Sequence, residues 1–221
     1  MPRVNPFRHW LATLNIAVGA FVAGALAAPV LAAVGWQSAA GGLYAAYHFA
    51  CHQWAFRSFF LFGPAPVGVY TQQQLADQAL DPFGFIGNTD LGWKMAFCER
   101  DLAIYLSLLA MGLVYARHRD MRPAGFGLYG LLILPMAIDG FTQLLGWRES
   151  TWQLRVLTGL LFGLASGWLV LPRLDASFGL RPATTIELTP TASDDRQYSP
   201  GELCQPVPPV AEAEPRLSPR G

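Results

Sequence analysis

The sequence predicts an all-α integral membrane protein, a helical bundle of four transmembrane helices with one further helix at the outer interface. Three observations carry this reading. Of the 221 residues, 52% are apolar and only 14% charged, the balance of a membrane chain rather than a soluble domain. The charges are gathered outside a few long apolar runs. Nearly every Cys, His, Asp, Glu or Arg that interrupts or flanks those runs also maps to one side of the membrane they would cross. A formal net charge of zero gives no nucleic-acid signal, and no phosphate-cradling glycine loop, nucleophile elbow or internal repeat is present.

Trp10–Val34, Phe126–Trp147 and Trp152–Leu171 each supply about the 20 residues needed to cross a hydrocarbon core. Leu102–Ala116 reaches only about 22 Å at about 1.5 Å per residue, so its helix is expected to begin near Trp93 or Phe97 to cover about 30 Å. Cys98, Glu99, Arg100 and Asp101 then fall in its first turns. Ala39–Phe62 opens on Gly41-Gly42 and contains His48, Cys51, His52 and Arg57, which reads as a helix lying on or dipping into the outer interface. Trp10, Trp36, Trp93, Trp147 and Trp152 fall near span ends as interfacial anchors in the lipid bilayer.

Orientation follows from the basic residues in short loops. Arg117–Pro123 is the most basic connection, and Arg3, Arg8, Arg173 and Arg181 flank other ends, which assigns them and both termini to the cytoplasmic side of a cell membrane. The Gly63–Gly92 loop then lies outside. A five-span alternative would strand Arg3 and Arg8 on the wrong side. Ala25-Leu26-Ala27 resembles a signal-peptide cleavage site, but the apolar run continues to Val34, a length that favours an uncleaved span. Residues 1–180 thus form the helical transmembrane domain. Residues 181–221 turn to Pro, Ser, Thr, Glu and Asp, with too little apolar surface to offset the entropy of ordering, and read as a disordered Pro-rich cytoplasmic tail in which Cys204 is a bystander.

Two motifs suggest a metal. His48, Cys51 and His52 stand at i, i+3 and i+4 and would share a helical face, while Cys98 and Asp101 are again three apart. Imidazole, thiolate and carboxylate from these five residues would suit a transition metal such as zinc. A Cys51–Cys98 disulfide in an oxidising outer compartment, or two buried thiols without a partner, explain the same residues.

A third constellation lies within the spans. Asp139 sits about two turns from the outer end of its helix, where a carboxylate is costly unless it faces protein or water and has a partner. Gln143 and Gly146 continue its stripe, and Pro135 precedes it by a turn. Arg155 and Thr158 occupy a matching depth on the next helix, so Arg155 is expected to reach Asp139 or Glu149, as a buried pair holding two helices in register or as part of a site. Gly159, Gly163 and Gly167 form a ladder permitting close helix approach, within the bundle or against another membrane subunit.

Read together, Cys51-His52-Gln53 followed by Arg57-Ser58-Phe59-Phe60, Cys98-x-Arg100, Asp139-Gly140-x-x-Gln143 and Arg148-Glu149-Ser150 leading to Arg155-x-x-Thr158-Gly159 resemble the DUF2085 family of multi-pass membrane proteins. The resemblance runs from Tyr44 to about Pro172 and supplies no activity. It implies a Cys-x-x-Cys where this chain has Cys98-Glu99-Arg100-Asp101, a change that a dithiol redox centre would not survive but a metal site accommodates. It also implies that Pro64–Lys94 is longer than the usual connection.

Three functional classes remain open on the sequence. One is a membrane protein with a metal or redox site near the outer leaflet, adjoined by Arg57, Arg100, Asp139, Gln143, Arg148, Glu149, Arg155 and Thr158. A second is an accessory or structural subunit of a larger membrane complex. The third, a transporter or proton relay through Asp139, has little room in four spans.

Overall fold

The computed structural model describes residues 9–180; the expected tail at 181–221, with Cys204, lies outside the described residues. Helices dominate, and three of them, α1 (Trp10–Ala33), α5 (Phe126–Leu144) and α6 (Trp152–Ser177), are long and apolar enough to cross a membrane. The fourth bundle helix, α4 (Glu99–Arg117), has the length of α5 but a more polar sequence. Its neighbours explain why. It lies between α1 and α6 and buries Glu99, Ser107 and Gly112 against them, so a smaller share of its surface has to be apolar on the outside.

The glycine ladder sets the α4–α6 contact. A Cβ added at Gly159 would meet the Arg100 carbonyl at 2.7 Å, one at Gly163 would collide with Ser107 and Ile104, and one at Gly167 would meet Met111 at 2.7 Å. These pairings ascend together along both helices, so α4 and α6 run parallel with backbones in close approach. The ladder is therefore occupied within the chain and offers no docking face to another subunit. Helix α1 runs antiparallel to α4, with Gly19 near Leu109 and Gly112 against Asn15. Helix α5 runs antiparallel to α6 and buries little besides Asp139.

At one end of the bundle, Asp175 of α6 accepts hydrogen bonds from Trp10 Nε1 at 2.8 Å, Tyr115 Oη at 2.8 Å and Arg119 Nη1 at 2.7 Å. It is almost fully buried, and it ties the first turn of α1 to the ends of α4 and α6. Nothing in the sequence pattern singled it out.

The other end departs from expectation. Instead of one helix over Ala39–Phe62, α2 covers only Gln37–Tyr47. Gly35 (φ 88°) makes the left-handed turn after α1, with its N–H on Ala32 O and that of Trp36 on Leu31 O, a cap geometry that favours glycine. Helix α2 then folds back along α1 until Tyr47 Oη donates to Phe21 O at 2.7 Å. Past Tyr47 the chain leaves helical geometry because Cys51 and Gln53 turn into the protein, where both are buried. A 3-10 turn at Ala55–Arg57 follows.

The described residues are mostly helical but also hold a small sheet. Strands β1 (Phe60–Leu61), β2 (Gly87–Asn88) and β3 (Gly92–Lys94) form a small antiparallel sheet in the order β1-β3-β2, with a short helix α3 (Gln72–Asp77) under a Thr71/Gln74 capping box. Strand β3 takes Trp93 and Lys94, so α4 starts at Glu99, later than the expected Trp93 or Phe97. The Pro64–Lys94 segment is thus a folded cap with its own apolar cluster around Phe60, Leu75 and Leu91.

Candidate functional site

The first turn of α4 is capped by a thiol. Cys98 is the N-cap residue (ψ 162°), and its Sγ accepts from Asp101 N at 3.5 Å, the position where Ser, Thr, Asp or Asn usually satisfies an orphan helix N–H. In return Cys98 Sγ lies 3.1 Å from Asp101 Oδ2 as a donor. Cys51 arrives from the turn after α2. Its Sγ accepts the N–H of Cys98 at 3.3 Å and that of Gln53 at 3.5 Å. The Cys98 side chain beside it and the Gln53 N–H lower the Cys51 pKa below the ordinary thiol value, while the same Cys51 contact and burial push the Cys98 thiol up. Cys51 and Cys98 are both free thiols, and their sulfurs and an Asp101 oxygen lie within 4.8 Å of one another.

A scaffold with no counterpart in the expected site holds Cys51 in place. Gln53 adopts a positive φ of 56°, a left-handed conformation that a non-glycine residue keeps only when its surroundings fix it. Both ends of Gln53 are fixed: its amide donates to Tyr44 O at 2.8 Å, and its carbonyl accepts from Lys94 Nζ at 2.5 Å. Tyr44 Oη in turn donates to Lys94 O at 2.5 Å. Lys94 is the only lysine in the chain and is buried. A lone lysine between Trp93 and Met95-Ala96-Phe97 is the signal that would have found it.

Burial pushes the Lys94 pKa down from 10.5 to about 8. Between those values the unfolded chain holds a proton that the folded protein has released, so stability should rise with pH across that window and be flat below it. Lys94→Met should flatten the rise in thermal melts of the detergent-solubilised protein. An undiminished slope in the variant would assign it to another group.

The thiols open onto a cavity of about 380 Å³ whose wall includes His52, Trp54 and Arg57. The two histidines do not join the sulfurs. With the helix ended at Tyr47, the expected i, i+3, i+4 face does not form: His52 is exposed on the cavity rim, stacked obliquely near Trp54 at 5.7 Å, and His48 is exposed beside a second cavity that Lys94 lines.

Adjoining the thiols is a buried charge network. Asp139 accepts from Arg100, from Arg148 Nη2 at 2.7 Å, from Gln143 Nε2 at 2.9 Å and from Ser150 Oγ at 2.9 Å. The expected Asp139–Arg155 pair does not form. Arg155 binds Glu99 Oε2 at 2.9 Å and the Ser150 carbonyl at 2.6 Å, because the parallel packing of α6 on α4 brings it over Glu99 before Asp139. Glu149 is exposed, and Thr158 is turned back onto the Leu154 carbonyl at 2.8 Å. Glu99 thus takes the place beside Arg155 that the sequence offered to Asp139 or Glu149.

A protein of Methanocaldococcus jannaschii named only as uncharacterized is 31% identical over 140 residues, which cover 62% of this chain and 71% of the relative. The sequence model of the family described as predicted membrane protein DUF2085 matches residues 90–169. The chain belongs to the DUF2085 family. An uncharacterized protein of Methanothermobacter thermautotrophicus is 59% identical over a shorter stretch of 34 residues, 15% of this chain and 31% of that protein. No solved structure matches. The stretch matched to DUF2085 contains Cys98, Asp101, Asp139 and Arg155, and lies within the longer resemblance read from Tyr44 onward. Cys51 and Arg57 lie outside it.

Proposed function

We propose that this DUF2085 protein is a four-span membrane protein that binds a transition metal ion, of which zinc is the best fit, through Cys51, Cys98 and Asp101. The observation that carries the reading is the convergence of three ligand atoms within 4.8 Å from segments far apart in sequence. Two sulfurs bound tetrahedrally to zinc at about 2.3 Å stand about 3.8 Å apart, so small side-chain rotations close the group on an ion. The N–H groups aimed at Cys51 favour its thiolate, the form that ligates, while Cys98 is held as a thiol beside Asp101 and gives up its proton as an ion binds. Three protein ligands leave a fourth position facing the cavity, the arrangement of a site that works on something rather than one that only braces a fold.

Metal content of the purified protein tests this. About one ion per chain is expected in the wild type and a large loss in Cys51→Ser; equal content in both would remove the site.

The basic Arg117–Arg122 connection supports a topology with α1, α4, α5 and α6 all crossing, both termini cytoplasmic and the thiol end outside. A cysteine placed at Gln73 should react with an impermeant reagent in intact cells, and reaction only after permeabilisation would reverse the orientation. The relay reading loses support, because Asp139 has its acceptor sites filled by two guanidiniums, an amide and a hydroxyl, leaving no place for a travelling proton.

A further inference from the structure

Four buried side-chain polar atoms lack a hydrogen-bond partner among the described residues: Arg57 Nε, Arg100 Nε, Arg155 Nε and Glu99 Oε1. Of these four residues Arg57 alone lines the thiol cavity, and a buried donor without an acceptor on a cavity wall marks a place for something else to bind. A cationic donor left without an acceptor calls for an anionic acceptor.

Arg100 and Arg148 share Asp139, and Arg155 holds Glu99; Arg57 makes no ion pair among the described residues. Its guanidinium carbon lies over the Trp54 ring, 4.7 Å from the centroid, and 5.3 Å from that of Phe56. These ring contacts hold the guanidinium without consuming its N–H groups, and a planar fork matches the paired oxygens of a carboxylate or phosphate. Arg57 lines the same cavity as Cys51, Cys98 and Asp101.

We infer that the cavity is a binding site for a small oxyanion, a carboxylate or phosphate group, gripped by Arg57 and presented to the open position of the metal held by Cys51, Cys98 and Asp101. This rests on the metal reading above. Bound there, the anion supplies the acceptor that Arg57 lacks, and Arg57 is the residue that selects its class.

Cobalt-loaded protein in detergent gives a test in two stages. Cobalt stoichiometry is measured first, and absence of bound cobalt would defeat the metal reading and this inference with it. The visible cobalt bands are then titrated with acetate, methyl phosphate and dihexanoyl phosphatidate. The wild type should respond saturably, and Arg57→Gln should bind about tenfold or more weakly, the loss expected for a charge-assisted hydrogen bond, while still taking up cobalt. Arg57→Lys, which keeps the charge without the fork, should fall between the two and carries the comparison where Arg57→Gln does not fold. A stronger response to the phosphatidate than to methyl phosphate would assign the anion to a lipid headgroup, and the reverse to a free anion. Cobalt bands that ignore all three anions, or respond equally in wild type and both variants, would overturn the inference.

Discussion

Glu99→Gln and Arg155→Gln are each expected to destabilise the bundle by about 3–5 kcal/mol, because each leaves the other member of a buried pair without its partner. Glu99 is fully buried and Arg155 nearly so. In a double-mutant cycle the pair should show strong coupling, the double variant losing far less than the sum of the singles. Asp139→Asn combined with Arg155→Gln should come much closer to additivity, since the two charges touch only through Ser150, whose hydroxyl serves Asp139 and whose carbonyl serves Arg155. Chemical unfolding in mixed micelles measures both cycles. Strong coupling of Asp139 with Arg155 and none of Glu99 with Arg155 would mean that α6 sits in a different register on α4.

At the thiol site the expected loss is in metal affinity. Outer-shell partners of a metal are each worth about 10–100-fold in affinity, so Cys98→Ser, which replaces a ligand and also disturbs the α4 cap, should exceed that range. Asp101→Asn should weaken metal binding less than Cys98→Ser, since the amide oxygen keeps a weak donor in place. His52→Ala should change it little, because His52 is exposed and outside the ligand group. Competition with a chromophoric chelator ranks the three variants; a His52→Ala loss equal to that of Cys98→Ser would return the histidine to the first coordination sphere.

Much of this protein was legible because a bilayer imposes long-range order on sequence. Three helices announce themselves by unbroken apolar length, and the placement of Cys51 and Cys98 at one end follows from where charged residues interrupt those runs. Helix α4 was legible only in part, since a helix shielded by protein on two sides is free of the composition rule that marks α1 and α6. The local geometry after Tyr47 was not legible at all. His48, Cys51 and His52 have helical spacing, yet the chain there is held non-helical by Gln53, Lys94 and Tyr44, contacts spanning up to 50 residues that no local pattern encodes. The salt bridges were misassigned for a related reason: position along a helix does not say which way around the helix axis a side chain points. The glycine ladder settles that, since Gly159 and Gly163 turn their face of α6 onto α4 and carry Arg155 toward Glu99 with it.

The central claim is that the fold makes Cys51, Cys98 and Asp101 one ligand group. X-ray absorption at the edge of the metal that copurifies with the protein addresses it most directly. The account predicts two sulfur scatterers at about 2.3 Å with oxygen or nitrogen neighbours at about 2.0–2.2 Å, the sulfur shell falling to one scatterer in Cys51→Ser. A shell of oxygen and nitrogen alone, or a metal-free protein whose Cys51 and Cys98 are joined as a disulfide, would contradict it.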